Sequence, residues 1–261
     1  MIAYVKAALA MKKIFPWLFV VAALAGCMQS TVKHPEPRMT MVEELEEKTI
    51  ALTRADSDSD NVPYCSGVWI SRDKILTANH CVESFGRDLT GELDEDKPYD
   101  STGVRLQYVI KSDVDLTGPR NYPKKIRHGT VLAIDAEHDL ALISAENIPV
   151  NHPIATVLNT QTIHDGDRVH IVGHTIGLWW TYCEGNVSSM WANIKGPTGI
   201  EVQALQISSP AWFGNSGGGA YDERGNLIGI ASWVTTRAPN ISFFVHHDEI
   251  VTFLQKHLKK A

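Results

Sequence analysis

The 261-residue chain has no long basic run, no uninterrupted apolar stretch of membrane-spanning length and only four cysteines. Its formal net charge of −6 is mild, and without a basic patch it argues against nucleic acid as a partner. The most apolar stretch, Ile14 to Leu24, is broken by Pro16 and falls short of the roughly 20 residues that a transmembrane helix needs. Asp56-Ser57-Asp58-Ser59-Asp60 invites a calcium reading. An EF-hand loop starting there needs glycine at 61 and glutamate at 67, where the chain has Asn61 and Gly67. No third ligand accompanies His170 and His174, or His246-His247, so neither a metal nor another cofactor is expected. What is present is ordinary for a globular protein: 44% hydrophobic and 8% aromatic residues, enough for a sizeable core in one large domain or two small ones.

From Cys65 onward, short β-rich runs alternate with turn signals. Strands are expected over Cys65–Ile70, Lys74–Thr77, Val104–Ile110, Gly129–Ile134 and Leu140–Ile143. A second set covers Arg168–Val172, Thr181–Ser189, Ile200–Ile207, Leu227–Trp233 and Ile241–Val245. Many short strands at this spacing predict a sandwich or a barrel. Ile250, Phe253, Leu254 and Leu258 then repeat at helical spacing, with Lys256, Lys259 and Lys260 toward the end. The segment Gly86–Thr102 is polar and acidic and reads as a surface loop.

The stretch that carries chemistry is Trp212-Phe213-Gly214-Asn215-Ser216-Gly217-Gly218-Gly219. Glycine permits positive φ and close approach of another backbone. A serine hydroxyl is a weak nucleophile until a neighbouring base takes its proton. The chain offers a base in Thr77-Ala78-Asn79-His80-Cys81 and an acid in His138-Asp139-Leu140-Ala141-Leu142. Alone, His80 would read as a structural histidine, Asp139 as a cap or ion-pair partner, and Gly217–Gly219 as a loop. As an ordered set His80, Asp139, Ser216, they resemble the motifs of the trypsin/chymotrypsin-like serine peptidases over roughly residues 61 to 258.

That resemblance implies an all-β fold of two six-stranded antiparallel barrels with a cleft between them and a closing C-terminal helix. It implies a Ser216 nucleophile, His80 as general base and then acid, and Asp139 orienting the imidazole. The backbone N–H groups of Gly214 and Ser216 would form the oxyanion hole. The 16-residue step from Cys65 to Cys81 resembles the family's disulfide beside the histidine, with two reduced buried thiols as the alternative. Cys183 stands alone and reads as a small buried hydrophobe.

Some positions depart from the pattern. Asn215 replaces an aspartate that pairs with a new N-terminus in animal digestive members, so activation of that type is not expected. Asn79 replaces the usual small residue before the histidine. Gly-Asn-Ser-Gly-Gly and Glu184-Gly185-Asn186-Val187-Ser188 are instead similar to bacterial heat-shock-type and glutamyl endopeptidases. By register, Pro210 falls where trypsin-like members hold the acid that binds Lys or Arg. Ser232-Trp233-Val234 matches the strand that pairs with substrate backbone, with Val234 narrowing the pocket entrance, and Ala231 replaces the histidine of glutamate-specific relatives. The expected preference is therefore a small or medium apolar residue before the cut.

The expected organisation is a lipoprotein signal peptide over 1–26, a tether over 27–60, and a peptidase domain over 61–261 divided near 145–155. Lys6, Lys12 and Lys13 precede the apolar stretch, and Met11-Lys12-Lys13 is itself an ordinary signal start. Leu24-Ala25-Gly26-Cys27 resembles a bacterial lipobox, which makes Cys27 the acylated residue. The alternatives are an uncleaved anchor and a plain secretory signal. Met28 and Gln29 rather than aspartate after the cysteine favour the outer membrane. Val42, Leu45, Thr49 and Leu52 suit a short amphipathic helix inside the tether. The leading functional expectation is an envelope serine endopeptidase acting on protein or peptide substrates. A catalytically inactive binding or scaffold lipoprotein of the same fold is the alternative, and the sequence leaves the oligomeric state open.

Overall fold

The computed structural model describes residues 39–53, 62–83, 101–117, 123–158, 162–196, 198–234, 238 and 240–258. The expected signal peptide, Cys27, the Asp56–Asp60 run and all but the end of the acidic loop lie outside these residues.

Among the described residues, twelve strands close into two barrels. The first contains β1 (Thr49–Thr53), β2 (Pro63–Ser71), β3 (Lys74–Thr77), β4 (Arg105–Ile110), β5 (Arg127–Asp135) and β6 (Leu140–Ala145), in the spatial order β1-β2-β3-β6-β5-β4. The second contains β7 (Arg168–Gly173), β8 (Thr181–Lys195), β9 (Glu201–Ile207), β10 (Gly219–Tyr221), β11 (Leu227–Val234) and β12 (Ser242–His246), in the order β10-β11-β12-β9-β8-β7. Every named pairing is antiparallel, for example Ile75↔Ile143 between β3 and β6 and Ala220↔Ile171 between β10 and β7. Closure leaves each sheet without long free edges. The expected division near 145–155 falls in the connection between β6 and β7. There the backbone N–H of Ala155 donates to Trp69 O of the first barrel, and that of Leu158 to Leu227 O of the second.

Three apolar clusters hold this arrangement. One fills the first barrel around Ile50, Leu52, Trp69, Ile75 and Tyr108. Another fills the second around Val169, Ile171, Leu205, Ile207 and Phe244. The third lies between the barrels and joins Ala51, Val68 and Leu76 to Val172, Tyr221 and Ile230. It also takes in Ile250, Phe253 and Leu254 of α2 (His247–Leu258). That helix is amphipathic as its spacing predicts, with Asp248 and Glu249 in its first turn and Lys256 in its last.

The tether expectation over 27–60 needs correction. Helix α1 (Met41–Lys48) begins on a capping box in which Thr40 Oγ1 accepts from Glu43 N–H while the Glu43 carboxylate accepts from Thr40 N–H. The helix ends before Thr49, so Thr49 and Leu52 belong to β1, all five residues of which are buried. Burial on both faces is what a barrel strand covered outside by a second layer experiences. Leu45 of α1 sits in the inter-barrel cluster, and Trp180 Nε1–H donates to Glu46 O at 2.9 Å. The folded unit therefore starts well before residue 61. We expect a chain beginning at residue 61 to lose its cooperative thermal transition by circular dichroism, and one beginning at residue 39 to keep it, since only the former lacks a barrel strand.

Candidate active site

The first barrel supplies two of the three motif residues from adjoining turns. β3 runs into a helical turn over 79–83 that carries His80, and the β5–β6 turn carries Asp139 at φ 57°. A left-handed non-glycine residue is uncommon and persists where its surroundings define it. Here Asp139 O accepts from Asn79 N–H at 3.1 Å, Asp139 Oδ1 accepts from His80 N–H at 2.8 Å, and Oδ2 lies 2.8 Å from His80 Nδ1. Ser232 Oγ–H of β11 also donates to Oδ2. The carboxylate is fully buried, so these donors replace the water it has lost.

The tautomer of His80 follows from its partner. An ionised carboxylate only accepts, so Nδ1 carries the proton and Nε2 keeps its lone pair. The imidazole side chain remains 39% exposed. Burial works to lower its pKa, but the hydrogen bond and charge of Asp139, helped by the charge of Glu83, outweigh it and the net direction is upward.

Ser216 comes from the turn between β9 and β10. Gly214 and Gly217 adopt φ of 96° and 80°, and neither position has room for a side chain. A Cβ at 214 would stand 2.1 Å from His174 O, and one at 217 would stand 2.2 Å from Ser66 O. Gly218 N–H donates to Asn215 O at 2.7 Å, and Ser66 N–H to Ser216 O at 2.7 Å. The glycines thus let the turn press against the first barrel, which brings Ser216 to the cavity His80 lines.

Two cavities meet at Ser216. One, of about 330 Å³, is lined by Tyr64, Cys65, His80, Cys81, Phe213, Gly214 and Ser216. His80 and Ser216 share it without a hydrogen bond between their side chains. Cys65 and Cys81 form a disulfide along its wall. The other, of about 10 Å³, lies among Ala211, Trp212, Ser216, Ala231, Ser232, Trp233 and Phe243. It has room for about one water molecule. Pro210 is exposed and does not line it, whereas Ala211 does. Phe243 reaches it from β12, a neighbour that register counting from Ser216 could not reveal. Val234 ends β11. β10 pairs with β11 only as far as Ile230, so Ser232, Trp233 and Val234 present an open strand edge among the described residues.

His170, His174, His246, His247 and Cys183 are held elsewhere. His170 Nδ1 lies 2.7 Å from Tyr182 OH, whereas His174 is buried against Ser66, so the two do not converge. His246, His247 and Asp248 bring potential ligand atoms within 4.8 Å of one another, but they stand at the N-terminus of α2, whose partial positive charge opposes a cation. Burial raises the Cys183 thiol pKa, which disfavours a nucleophilic thiolate.

Residues 65–230 match the trypsin-like peptidase domain family, and the chain belongs to that family. It is 26% identical over 181 residues to a probable periplasmic serine endoprotease, DegP-like, of Buchnera aphidicola, covering 65% of this chain and 36% of that protein. It is 23% identical over 229 residues to a probable periplasmic serine protease, do/HhoA-like, of Haemophilus influenzae, covering 81% of this chain and 47% of the relative. The chain therefore spans between a third and a half of the length of these relatives. Its fold is similar to that of the inactive form of the Rv3671c protein of M. tuberculosis H37Rv, with a TM-score of 0.61 at 16% identity over 84% of this chain and 90% of that one.

An NMR titration of the His80 ring should place its midpoint above the ordinary 6.5. In Asp139→Asn the midpoint should fall, because the groups that favour the imidazolium are lost while burial remains. A midpoint unmoved by that substitution would contradict the coupling.

Proposed function

We propose that the chain is a serine endopeptidase of the bacterial envelope, with His80, Asp139 and Ser216 as its triad. The observation that carries this reading is the His80–Asp139 hydrogen bond, which leaves Nε2 as a base on the cavity that Ser216 lines. Ser216 Oγ attacks the scissile carbonyl and gives its proton to His80 Nε2, while Asp139 stabilises the imidazolium. The resulting oxyanion accepts from the N–H groups of Gly214 and Ser216, each such donor being worth about 2.7–4 kcal/mol in the transition state. Collapse to an acyl-enzyme expels the amine, protonated by His80, and water completes the cycle through the same base. The Nε2–Oγ hydrogen bond forms as substrate fills the cavity, a tightening common to catalytic contacts.

The open edge of Ser232-Trp233-Val234 suits an extended substrate backbone. The small cavity walled by Ala211, Ala231 and Phe243 has no charged group among its described lining residues, which supports small apolar side chains before the cut. Cys27 is the proposed acylation site, with the outer membrane favoured, and the periplasmic names of the relatives accord with an envelope location. No helix among the described residues is long and apolar enough to cross a membrane.

The second reading, an inactive binding or scaffold lipoprotein, draws on the small size of that same cavity. A fluorophosphonate probe separates the two. The peptidase reading expects labelling of the parent, none of Ser216→Ala, and a loss of peptide turnover on the order of 10⁶-fold in that variant with its thermal transition retained. An unlabelled, inactive parent would favour the scaffold. For the anchor, the parent should partition into the Triton X-114 detergent phase and Cys27→Ala into the aqueous phase; equal partitioning would rule out acylation at Cys27.

A further inference from the structure

We propose that Ser66 and His174 form a buried relay that holds the oxyanion turn in its working orientation, as positioning residues that never touch substrate. The inference rests on the peptidase reading and adds to it two residues outside its motifs. Both side chains are fully buried, Ser66 in β2 and His174 directly after β7. Ser66 Oγ lies 2.7 Å from Gly214 O and 2.9 Å from His174 Nδ1. A carbonyl can only accept, so the single hydroxyl proton goes to Gly214 O. His174 must then donate its Nδ1–H to Ser66 Oγ, which fixes its tautomer.

That assignment leaves His174 Nε2 as a buried lone pair with no hydrogen-bond partner among the described residues. The rings of Trp180 and Trp179 pack edge-on to the imidazole, with centroids at 4.9 and 6.0 Å. Burial pulls the His174 pKa down to about 3, so the ring stays neutral where a peptidase works. A buried polar atom without a partner is costly and calls for a compensating role. The link from Nδ1 through Ser66 to the turn supplies one.

The peptide planes show what the link does. Carbonyl and N–H of one peptide lie in a plane and point in opposite directions, so fixing the first aims the second. Phe213 O accepts from Ile176 N–H at 2.6 Å, which aims Gly214 N–H. Asn215 O accepts from Gly218 N–H at 2.7 Å, which aims Ser216 N–H. The plane between these two donors carries Gly214 O, and Ser66 Oγ holds it. Asn215 N–H of the same plane donates to Trp212 O at 3.1 Å, a contact within the turn itself. Without the Ser66 bond nothing ties this plane to the first barrel, and Gly214, a glycine already in the left-handed region, gives it room to shift.

The loop after β7 grips the turn at three successive residues. His174 acts on Gly214 through Ser66, Thr175 Oγ1–H donates to Asn215 Oδ1 at 2.8 Å, and Ile176 N–H donates to Phe213 O. Ile176 is β-branched yet sits at φ 48° with its side chain largely exposed. Such a conformation persists where surrounding contacts impose it.

The test compares Ser66→Ala, His174→Asn and His174→Leu with the parent in the full chain. Its readouts are kcat and KM on a peptide substrate and the rate of fluorophosphonate labelling. Asparagine keeps an N–H near the position of Nδ1, whereas leucine removes it. Weakening one oxyanion donor predicts that Ser66→Ala and His174→Leu lower kcat and the labelling rate by about 10- to 100-fold. KM should stay within about 2-fold, since the turn acts on the transition state, and His174→Asn should stay within about 3-fold of the parent. Parental kcat in Ser66→Ala, or equal impairment of both His174 variants, overturns the relay while leaving the peptidase reading intact. If Ser66→Ala loses its thermal transition, the His174 pair decides. An unlabelled parent would instead overturn the peptidase reading. The His174 tautomer and the Gly214 amide resonance then decide the relay: an Nδ1–H ring and an amide shifted in Ser66→Ala support it, and an Nε2–H ring overturns it.

Discussion

A carboxylate with no access to water is the constraint on which the rest of this structure turns. Asp139 is completely enclosed, and an isolated buried charge is prohibitively costly unless polar groups replace its hydration. Its donors come from both halves of the molecule. His80 supplies a backbone N–H and a ring N–H from the first barrel, and Ser232 supplies a hydroxyl from the second. Satisfying Asp139 therefore requires the barrels to be in register with each other. The apolar cluster shared between them supplies the non-directional attraction, and the carboxylate adds direction. Packing alone would tolerate a small sliding of one barrel on the other, which the hydrogen bond crossing from Ser232 to the carboxylate resists.

Most of the fold was legible because its strands carry recognisable β-rich runs. Lys74–Thr77 is legible to the residue, and nine other strands are legible with ends displaced by one to six positions, the largest at the end of β8. The two strands that escaped show where such reading fails. β1, Thr-Ile-Ala-Leu-Thr, is buried along its whole length, so it shows no alternation, and it follows a helix without a turn signal. β10, Gly-Ala-Tyr, is three residues long and lies beside the glycine run that drew attention for its chemistry. Each closes a barrel, so neither sheet could be completed from local pattern.

The candidate site divides the same way. Its motif residues stood out because glycine, serine, histidine and aspartate occur there in unusual local settings. Residues whose importance comes from spatial neighbours did not stand out. Phe243 enters the small cavity from an adjacent strand, and Ser66 reaches Gly214 across 148 positions of sequence. From the sequence His174 suggests only a metal ligand, since nothing in the chain order reveals that its partner is a serine hydroxyl. Pro210 illustrates the converse: counting along the chain from Ser216 fixes a position but not a path, and the residue is exposed while Ala211 beside it lines the small cavity.

The open edge at Ser232-Trp233-Val234 has a consequence for what the proposed peptidase could cut. A strand edge binds another chain through backbone groups whose hydrogen bonds are not already made. Helices and sheet interiors have none to offer, so a folded target must first come apart locally before it can lie along β11. When that opening is rapid and reversible, its free energy enters the cleavage rate as a prior equilibrium. Two proteins with the same cleavable sequence would then be cut at rates set by how readily each frays, and the edge would act as a gauge of conformational looseness.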